Sequence, residues 1–416
     1  MPGKQSYLTS HKFYVIAFIV IMAILFSIWL IGFTSDFQGE QANVFFQKTG
    51  NYNADFYNVA EYSTSPNPYI GDPNTQPEKA YLPLSYVLMR LFSNMADYKN
   101  LGPFEAGLSS ISLTTSTFAI FLVCAILFLQ LYELKKGTKA TKFLVALSIV
   151  LSGAFLRAFE RGNIIMLAIV CVMFFIMNYK SENKVLKELS FIALAIAVAL
   201  KGYPAILGIL LLYEKRWLDA ARLVLYGALF IFIPFLFIEG GLSNISLLLD
   251  NMKMNSERYS HMIEGWRFGL RYLLVLIYPE LNNSVYDIAK MITYVLFVLS
   301  LVVAPFMKIQ WKKYAVLLSP IILMPENSGG YCILYILPFF VMFLNEEKHK
   351  KSDILYLVLF LLIFNPYQIP FISGYSPNAC VSVIWLWLLG EGVFNVIRHR
   401  VKQTKSLKIA TNEESK

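Results

Sequence analysis

The sequence predicts an all-α protein that crosses a membrane about twelve times as helices. Of its 416 residues, 57% are hydrophobic and only 15% are charged. Apolar runs of up to about 20 residues, long enough to span a bilayer as a helix, recur along the chain. The lysines and arginines concentrate in the polar segments between alternate runs, which is typical of cytosolic loops. The positive residues are therefore distributed unequally between the two sides of the membrane. The net charge of +9 does not indicate nucleic-acid binding.

The first apolar run has Lys4 and Lys12 before it and no small-x-small cleavage site after it, so we interpret it as an uncleaved signal anchor. Several later runs are short for a bilayer, and we expect these helices to extend into their flanks or to lie tilted among neighbours. The expected spans are 13–33, 108–132, 143–156, 164–178, 189–200, 204–213, 223–238, 291–307, 314–325, 330–344, 354–364 and 380–397.

The distribution of positive charge predicts which segments are cytosolic. With the N-terminus inside, the cytosolic segments hold 24 of the 36 lysines and arginines, and the outer segments, which are about twice as long in total, hold 12. Both termini are then cytosolic, in a cell membrane of the plasma or inner type. Residues 189–213 have basic flanks on both sides and must cross twice, with Lys201-Gly202-Tyr203-Pro204 as the outer turn.

We expect one integral-membrane domain over residues 1–400, followed by a polar cytosolic tail over 401–416. Two large loops, 34–107 and 239–290, lie on the outer face. The first contains segments that are typical of interfacial helices.

Asp36 lies directly beyond the first span, at the head of the first large loop. A carboxylate there is either a solvated end-cap of the helix or a general base that works at the outer membrane surface. Glu40 follows one helical turn later and could support or replace it.

Several basic residues remain on the outer turns, where positive charge is otherwise depleted. Arg157 and Arg161 flank Glu160 at one hairpin, and Lys201 lies at the next. Snorkelling and local ion pairs would explain some of them. The alternative is a site for a lipid-linked phosphate, because arginine and lysine are the usual phosphate partners.

A series of short motifs on the predicted outer face resembles a known family. In chain order these motifs are Asp36, Asn67-Pro68-Tyr69, Tyr81-Leu82-Pro83-Leu84, Arg161-Gly162-Asn163 and Lys201-x-x-Pro204. Together they resemble the GT-C integral-membrane glycosyltransferases, and most closely family 87, the polyprenyl-phosphate-sugar-dependent mannosyl- and arabinosyltransferases. The landmarks cover roughly residues 30–215. Family members commonly have Tyr-Pro-Pro-Leu where this chain has Tyr-Leu-Pro-Leu, and Gly-Gln-x-Asn where it has Arg-Gly-Asn.

The resemblance implies transfer of a sugar from a polyprenyl-phosphate donor to a glycan or a lipid-linked acceptor. It implies Asp36 as general base and Lys201, Arg157 and Arg161 as partners of the donor phosphate. A single displacement would invert the anomeric carbon, whereas retention would need a second carboxylate. The residues that we expect to contact substrate are Asn163, Tyr69, Tyr81, Arg258, His261 and Arg267.

Two other functions stay open on the sequence. One is a polysaccharide polymerase or ligase of the O-antigen type, since Arg258 and Gly269 fit an Arg-x10-Gly pattern. The other is a lipid-linked sugar flippase or transporter, although transporters usually carry charges near the membrane midplane. No cofactor is expected, and a divalent metal is left open. His261 and Glu264 alone do not make a metal site, and the four cysteines form no CxxC pair.

Overall fold

The computed structural model describes residues 9–35, 52–71, 79–260, 283–324, 330–366 and 376–414. Within these ranges every regular element is a helix, so the predicted all-α class is confirmed. The α-helices are α1 (His11–Ser35), α2 (Ala54–Tyr62), α3 (Pro83–Ser93), α4 (Tyr98–Gly107), α5 (Ser110–Leu134), α6 (Lys139–Val150), α7 (Gly153–Arg161), α8 (Ile165–Asn178), α9 (Lys184–Lys201), α10 (Ile209–Tyr213), α11 (Trp217–Phe232), α12 (Asn244–Ser260), α13 (Asn283–Val303), α14 (Gln310–Leu323), α15 (Leu337–Phe343), α16 (Asp353–Phe364) and α17 (Ser376–Glu414).

Several of these helices are long and apolar enough to cross a membrane. Within the described part of the chain there are five, or six if α6 and α7, which meet at an angle of 57°, form one broken span. The protein is therefore a multi-pass membrane protein, while the twelve crossings remain a prediction. The five are His11–Gly32, Ser110–Leu134, Trp217–Phe237, Asp287–Phe306 and Pro377–His399, and shorter apolar helices are Ile165–Asn178, Tyr203–Tyr213, Tyr331–Phe343 and Asp353–Phe364.

The chain reverses at the turn after α9, as predicted. α9 ends at Lys201, Gly202 has a φ of 29°, and a 3-10 helix over Tyr203–Gly208 leads into α10. Lys180, which precedes α9, forms an ion pair of 2.6 Å with Glu214, which follows α10. The return segment thus ends level with the start of α9, and Lys201 lies at the far end.

The segments that we predicted to be on the outer face contact one another at one end of the molecule. The backbone N–H of Asn53 donates to the carbonyl of Glu160 at 2.7 Å, and that of Glu239 donates to the carbonyl of Pro66 at 3.0 Å. We call this end, with residues 52–71, 157–163, 201–203 and 239–251, the loop end.

The segments with the highest density of lysine and arginine contact one another at the opposite end. Lys135 Nζ donates to the side-chain oxygen of Asn345 at 3.0 Å, and Ser10 and Lys348 form an isolated antiparallel bridge. The two predicted sets of loops are therefore separated in space. Which end faces the cytosol rests on the positive-inside rule.

An aromatic core joins α1 to α14, α15 and α16. The ring centroids of Trp311 and Phe343 are 5.2 Å apart, and Phe340 lies 4.8 Å from both Phe360 and Phe18. These side chains are almost completely buried. Because lipid tails are as apolar as the core, such helices associate mainly through close packing.

The Asn-Pro-Tyr motif joins the first large loop to the second. Asn67 donates to the side chain of Asn244 at 2.7 Å, and its own side-chain oxygen accepts from the Tyr69 backbone at 3.0 Å. The Tyr69 hydroxyl donates to the carbonyl of Tyr81 at 3.1 Å, and Arg90 donates to the carbonyl of Phe237. The motif thus sets the position of both Tyr81 and the start of α12.

Gly153 allows α7 to pack directly against the chain that follows α16. A Cβ on Gly153 would meet the carbonyl oxygen of Asn365 and lie 2.8 Å from Cα of Pro366. Both are backbone atoms and cannot rotate away. Arg161 lies at the other end of α7, so this packing also helps to fix the position of Arg161 at the loop end.

We predict that Gly153→Ala lowers stability by about 1–3 kcal/mol through overpacking, which a reduced melting temperature in detergent would show. Gly390→Ala is the matched control, because Gly390 lies in α17 and a Cβ added there would have no atom within 4 Å. Alanine there should raise stability by up to about 1 kcal/mol through its helix propensity. Equal melting temperatures for the two variants would contradict the packing argument.

Candidate active site

Asp55 is the carboxylate around which the loop end is organised. It lies in the first turn of α2, and its side chain is only 10% exposed. One carboxylate oxygen accepts a hydrogen bond from Arg161, and the other accepts from Asn163 Nδ2 at 2.7 Å. A buried carboxylate needs such partners, because desolvation of an unpaired charge is costly.

The turn between α7 and α8 presents Arg161 and Asn163 to that carboxylate. Gly162 ends α7 with a φ of 60°, a conformation in which residues with a Cβ are strained. The side-chain oxygen of Asn163 accepts from the backbone of Ile165 at 2.9 Å, at the start of α8. The Asn163 amide group is therefore held at both its oxygen and its nitrogen.

The segment before α2 packs directly on this turn. Asn53, itself at a φ of 54°, donates its backbone N–H to Glu160, and a Cβ on Gly162 would lie 3.2 Å from Cα of Asn53. The glycine thus permits both the turn and the close approach of the two chains. In the Arg-Gly-Asn motif, Arg161 and Asn163 therefore bind Asp55, and Gly162 provides the turn between them.

Lys201 approaches the same site from the end of α9. Its Nζ lies 4.4 Å from the ring centroid of Tyr81, within the range of a cation–π contact. Lys201 lies outside the candidate membrane spans, and burial lowers its pKa, whereas Cys332 and the Asp55 carboxylate act in the opposite direction. The site therefore holds two cations, Arg161 and Lys201, in the electrostatic range of one carboxylate.

Tyr331 completes the group. It lies in the 3-10 helix Gly330–Ile336 and interacts electrostatically with Asp55, Tyr81 and Arg161. Five separate parts of the chain thus meet at this point: α2, the segment before α3, the α7–α8 turn, the end of α9 and the 3-10 helix before α15.

A large apolar cavity begins beside the turn that carries Lys201. Its volume is about 830 Å³, and Tyr203 is one of its lining residues. The others come from α9, the 3-10 helix that follows it, α10, α11, α13 and the region of α14, and all are apolar or glycine. We call it the large cavity. An aliphatic chain could lie there while a charged group at its end reached Lys201.

A second, smaller cavity has a volume of about 180 Å³. Asp55 and Asn163 are among its lining residues, and the rest of the lining is apolar or glycine. We call it the small cavity. The two cavities share no lining residue.

The structure brings together four of the residues predicted from sequence: Tyr81, Arg161, Asn163 and Lys201. Arg157 lies half-buried on α7, one turn before Arg161. Tyr69 is buried in the joint between the two large loops. The predicted residues Asp36, Glu40, His261 and Arg267 lie outside the described residues, and Arg258 lies near the end of α12.

Sequence reasoning did not single out Asp55 or Tyr331. Asp55 is one of several carboxylates in the first large loop, and nothing local distinguishes it from its neighbours. Tyr331 lies far along the chain, at the start of the expected span 330–344. Within the described part of the chain, no group of three or more histidine, cysteine, aspartate or glutamate side chains is placed to hold a metal ion.

Comparison with known proteins identifies the family. The profile described as Glycosyltransferase family 87 matches residues 80–319, which is more than half of the chain. The chain belongs to glycosyltransferase family 87. The resemblance predicted from its motifs is thereby confirmed, and the protein is a membrane glycosyltransferase.

The family 87 match includes Tyr81, Arg161, Asn163 and Lys201, whereas Asp36 and Asp55 precede it. No curated protein matches the chain. No solved structure matches it either.

We predict that Gly162→Ala displaces Asp55 from its partners and lowers both stability and transferase activity. The strained backbone costs about 1–2 kcal/mol and the contacts with Asn53 and Ile120 about 1–3 kcal/mol more. Melting temperature and transfer rate would both be measured. Gly241→Ala is the control, because Gly241 has a φ of 54° with open space around it and should incur only the backbone cost. Equal losses in the two variants would contradict the close-approach argument.

Proposed function

We propose that this glycosyltransferase moves a sugar from a polyprenyl-phosphate donor to an acceptor hydroxyl at the extracytoplasmic face, with inversion. The observation that carries the proposal is the meeting of a held carboxylate with two cations beside a large apolar cavity. The extracytoplasmic side follows from the positive-inside rule, since the site lies at the end with fewer lysines and arginines.

The donor class is supported by the position of Lys201. A polyprenyl phosphate has a long apolar tail and an anionic group at its end. The large cavity provides an apolar surface that begins next to Tyr203, two residues beyond Lys201. A nucleotide sugar has no tail to place there, so the cavity favours a lipid-linked donor.

The transfer step needs a base, and Asp55 is a carboxylate of the described site. The acceptor hydroxyl gives its proton to the carboxylate while its oxygen attacks the anomeric carbon. The bond between that carbon and the phosphate oxygen breaks, and the phosphate leaves with the electron pair. Lys201 and Arg161 would stabilise the negative charge on the leaving phosphate.

Asp36 remains the base predicted from the sequence, with Glu40 as its supporting acid. Asp55 is a second candidate, supported by its contacts. One oxygen of Asp55 accepts from Arg161 and the other from Asn163, and a carboxylate oxygen can accept two hydrogen bonds. An acceptor hydroxyl could therefore bind without displacing Arg161 or Asn163.

The test is a transfer assay with purified protein and synthetic polyprenyl-phosphate sugars, compared with nucleotide sugars. We expect transfer from the lipid donor alone. Asp55→Asn should lower the rate about 100-fold or more, because the amide cannot take the proton. Glu105→Gln, which changes an exposed carboxylate of α4, is the control and should retain the wild-type rate.

Asp36→Asn, measured alongside, decides between the two carboxylates. Loss of transfer in this variant only would assign the base to Asp36. Dependence on Arg258 with tolerance of both aspartate changes would indicate a polymerase. Use of a nucleotide sugar would refute the proposed donor.

The pKa of Lys201 predicts an alkaline limb in the pH profile of kcat/KM for the donor. Because burial lowers this pKa below the usual 10.5, the ammonium group loses its proton, and its hold on phosphate, at a lower pH than an ordinary lysine does. Lys201→Arg should move the limb to higher pH, since guanidinium stays charged. Lys253→Arg, at an exposed position on α12, should leave the profile unchanged. If the alkaline limb of the kcat/KM profile does not move in Lys201→Arg, Lys201 does not bind the donor phosphate.

A further inference from the structure

The ammonium group of Lys201 depends on an aromatic ring for its position. A lysine side chain has a flexible four-carbon stem, so its charge stays in one place only where contacts hold it. Lys201 Nζ lies 4.4 Å from the ring centroid of Tyr81. This cation–π contact orders the ammonium without neutralising it, so its charge can still attract an anion. The position of Tyr81 therefore influences where Lys201 can meet a phosphate.

Two buried tyrosines hold the backbone of Tyr81. Tyr81 lies in residues 79–82, the segment before α3, which we call the strap. The backbone N–H of Tyr81 donates to the hydroxyl of Tyr86 at 3.4 Å, and its carbonyl accepts from the hydroxyl of Tyr69 at 3.1 Å. The rings of Tyr69 and Tyr86 pack edge to face, with centroids 5.3 Å apart, and both side chains are buried. The strap is thus held at both its donor and its acceptor groups.

Asn251 of α12 connects the second large loop to the strap. Its side-chain amide donates to the carbonyl of Lys79 and to the carbonyl of Tyr69, each at 3.1 Å. Asn244 lies two helical turns earlier on the same face of α12 and binds Asn67 at 2.7 Å. The helix therefore contacts the first large loop through two asparagines, and Asn251 is the one that reaches the strap.

We propose that Asn251 is a positioning residue for donor binding. Asn251 holds the strap through Tyr69 and Lys79, the strap holds the ring of Tyr81, and the ring holds Lys201 where it can meet the donor phosphate. This inference rests on the proposed function and gives the second large loop a part in it. Loss of the Asn251 amide should therefore weaken phosphate binding through Lys201.

The test is binding of a synthetic polyprenyl phosphate to the full-length protein in nanodiscs. Asn251→Leu keeps roughly the size of the side chain but has no N–H to donate, and it should raise Kd about 3- to 10-fold. Lys201→Gln should raise Kd further. In the Lys201→Gln background, Asn251→Leu should cause no additional change, because no ammonium is left to position. A purely structural role of Asn251 would weaken binding equally in both backgrounds.

Two further comparisons check the intermediate step and the specificity. Tyr81→Leu removes the ring and should raise Kd about 3- to 30-fold, whereas Tyr81→Phe retains the ring and should weaken binding less. Met252→Leu is the matched control, because Met252 is the next residue of α12 and is 46% exposed. It should keep the wild-type Kd.

An unchanged Kd in Asn251→Leu, or the same fold-change with and without Lys201, would overturn the positioning role. If Asn251→Leu shows no melting transition, Asn251→Ala replaces it in the same pair of backgrounds. Failure of the wild-type protein to bind polyprenyl phosphate would refute the proposed donor, and the positioning role with it. Binding that depends on Lys201 but not on Asn251 would keep the proposed function and refute only the positioning role.

Discussion

The arrangement of the loop end depends on the charge of Asp55 and its two partners. A carboxylate that is only 10% exposed needs hydrogen-bond donors in place of the water that it has lost. Arg161 and Asn163 provide those donors, and they lie on either side of Gly162, where α7 ends. The constraint therefore ties the first large loop to the α7–α8 turn. It also explains why Asn53 approaches that turn so closely.

The charged groups of the site lie next to two cavities with mainly apolar linings. Charged groups are costly near the membrane interior and are usually retained there for a function. Here a carboxylate and two cations lie beside a large apolar cavity, and the carboxylate also lines a small one. For the donor proposed above, the large cavity would hold the apolar tail while the phosphate lies at Lys201.

Some motif residues serve the site indirectly. The sequence predicts a substrate contact for Tyr69 of the Asn-Pro-Tyr motif. In the structure Asn67 and Tyr69 are buried and bind other parts of the protein. Tyr69 supports the backbone of Tyr81, whose ring contacts Lys201. The motif thus contributes to the site by positioning Tyr81.

The sequence by itself determined the all-α class, the membrane location, the family, the reversal at Lys201-Gly202-Tyr203-Pro204 and four of the site residues. These follow from local information: hydropathy over a span, the side on which lysine and arginine gather, and the backbone preferences of glycine and proline. Only the tertiary structure decided that Asp55 meets Arg161 and Asn163, that Tyr331 joins them, and that two separate cavities lie next to the group. Those contacts join positions more than 100 residues apart, and their partners are selected by packing and by the cost of an unpaired buried charge, which no local pattern records.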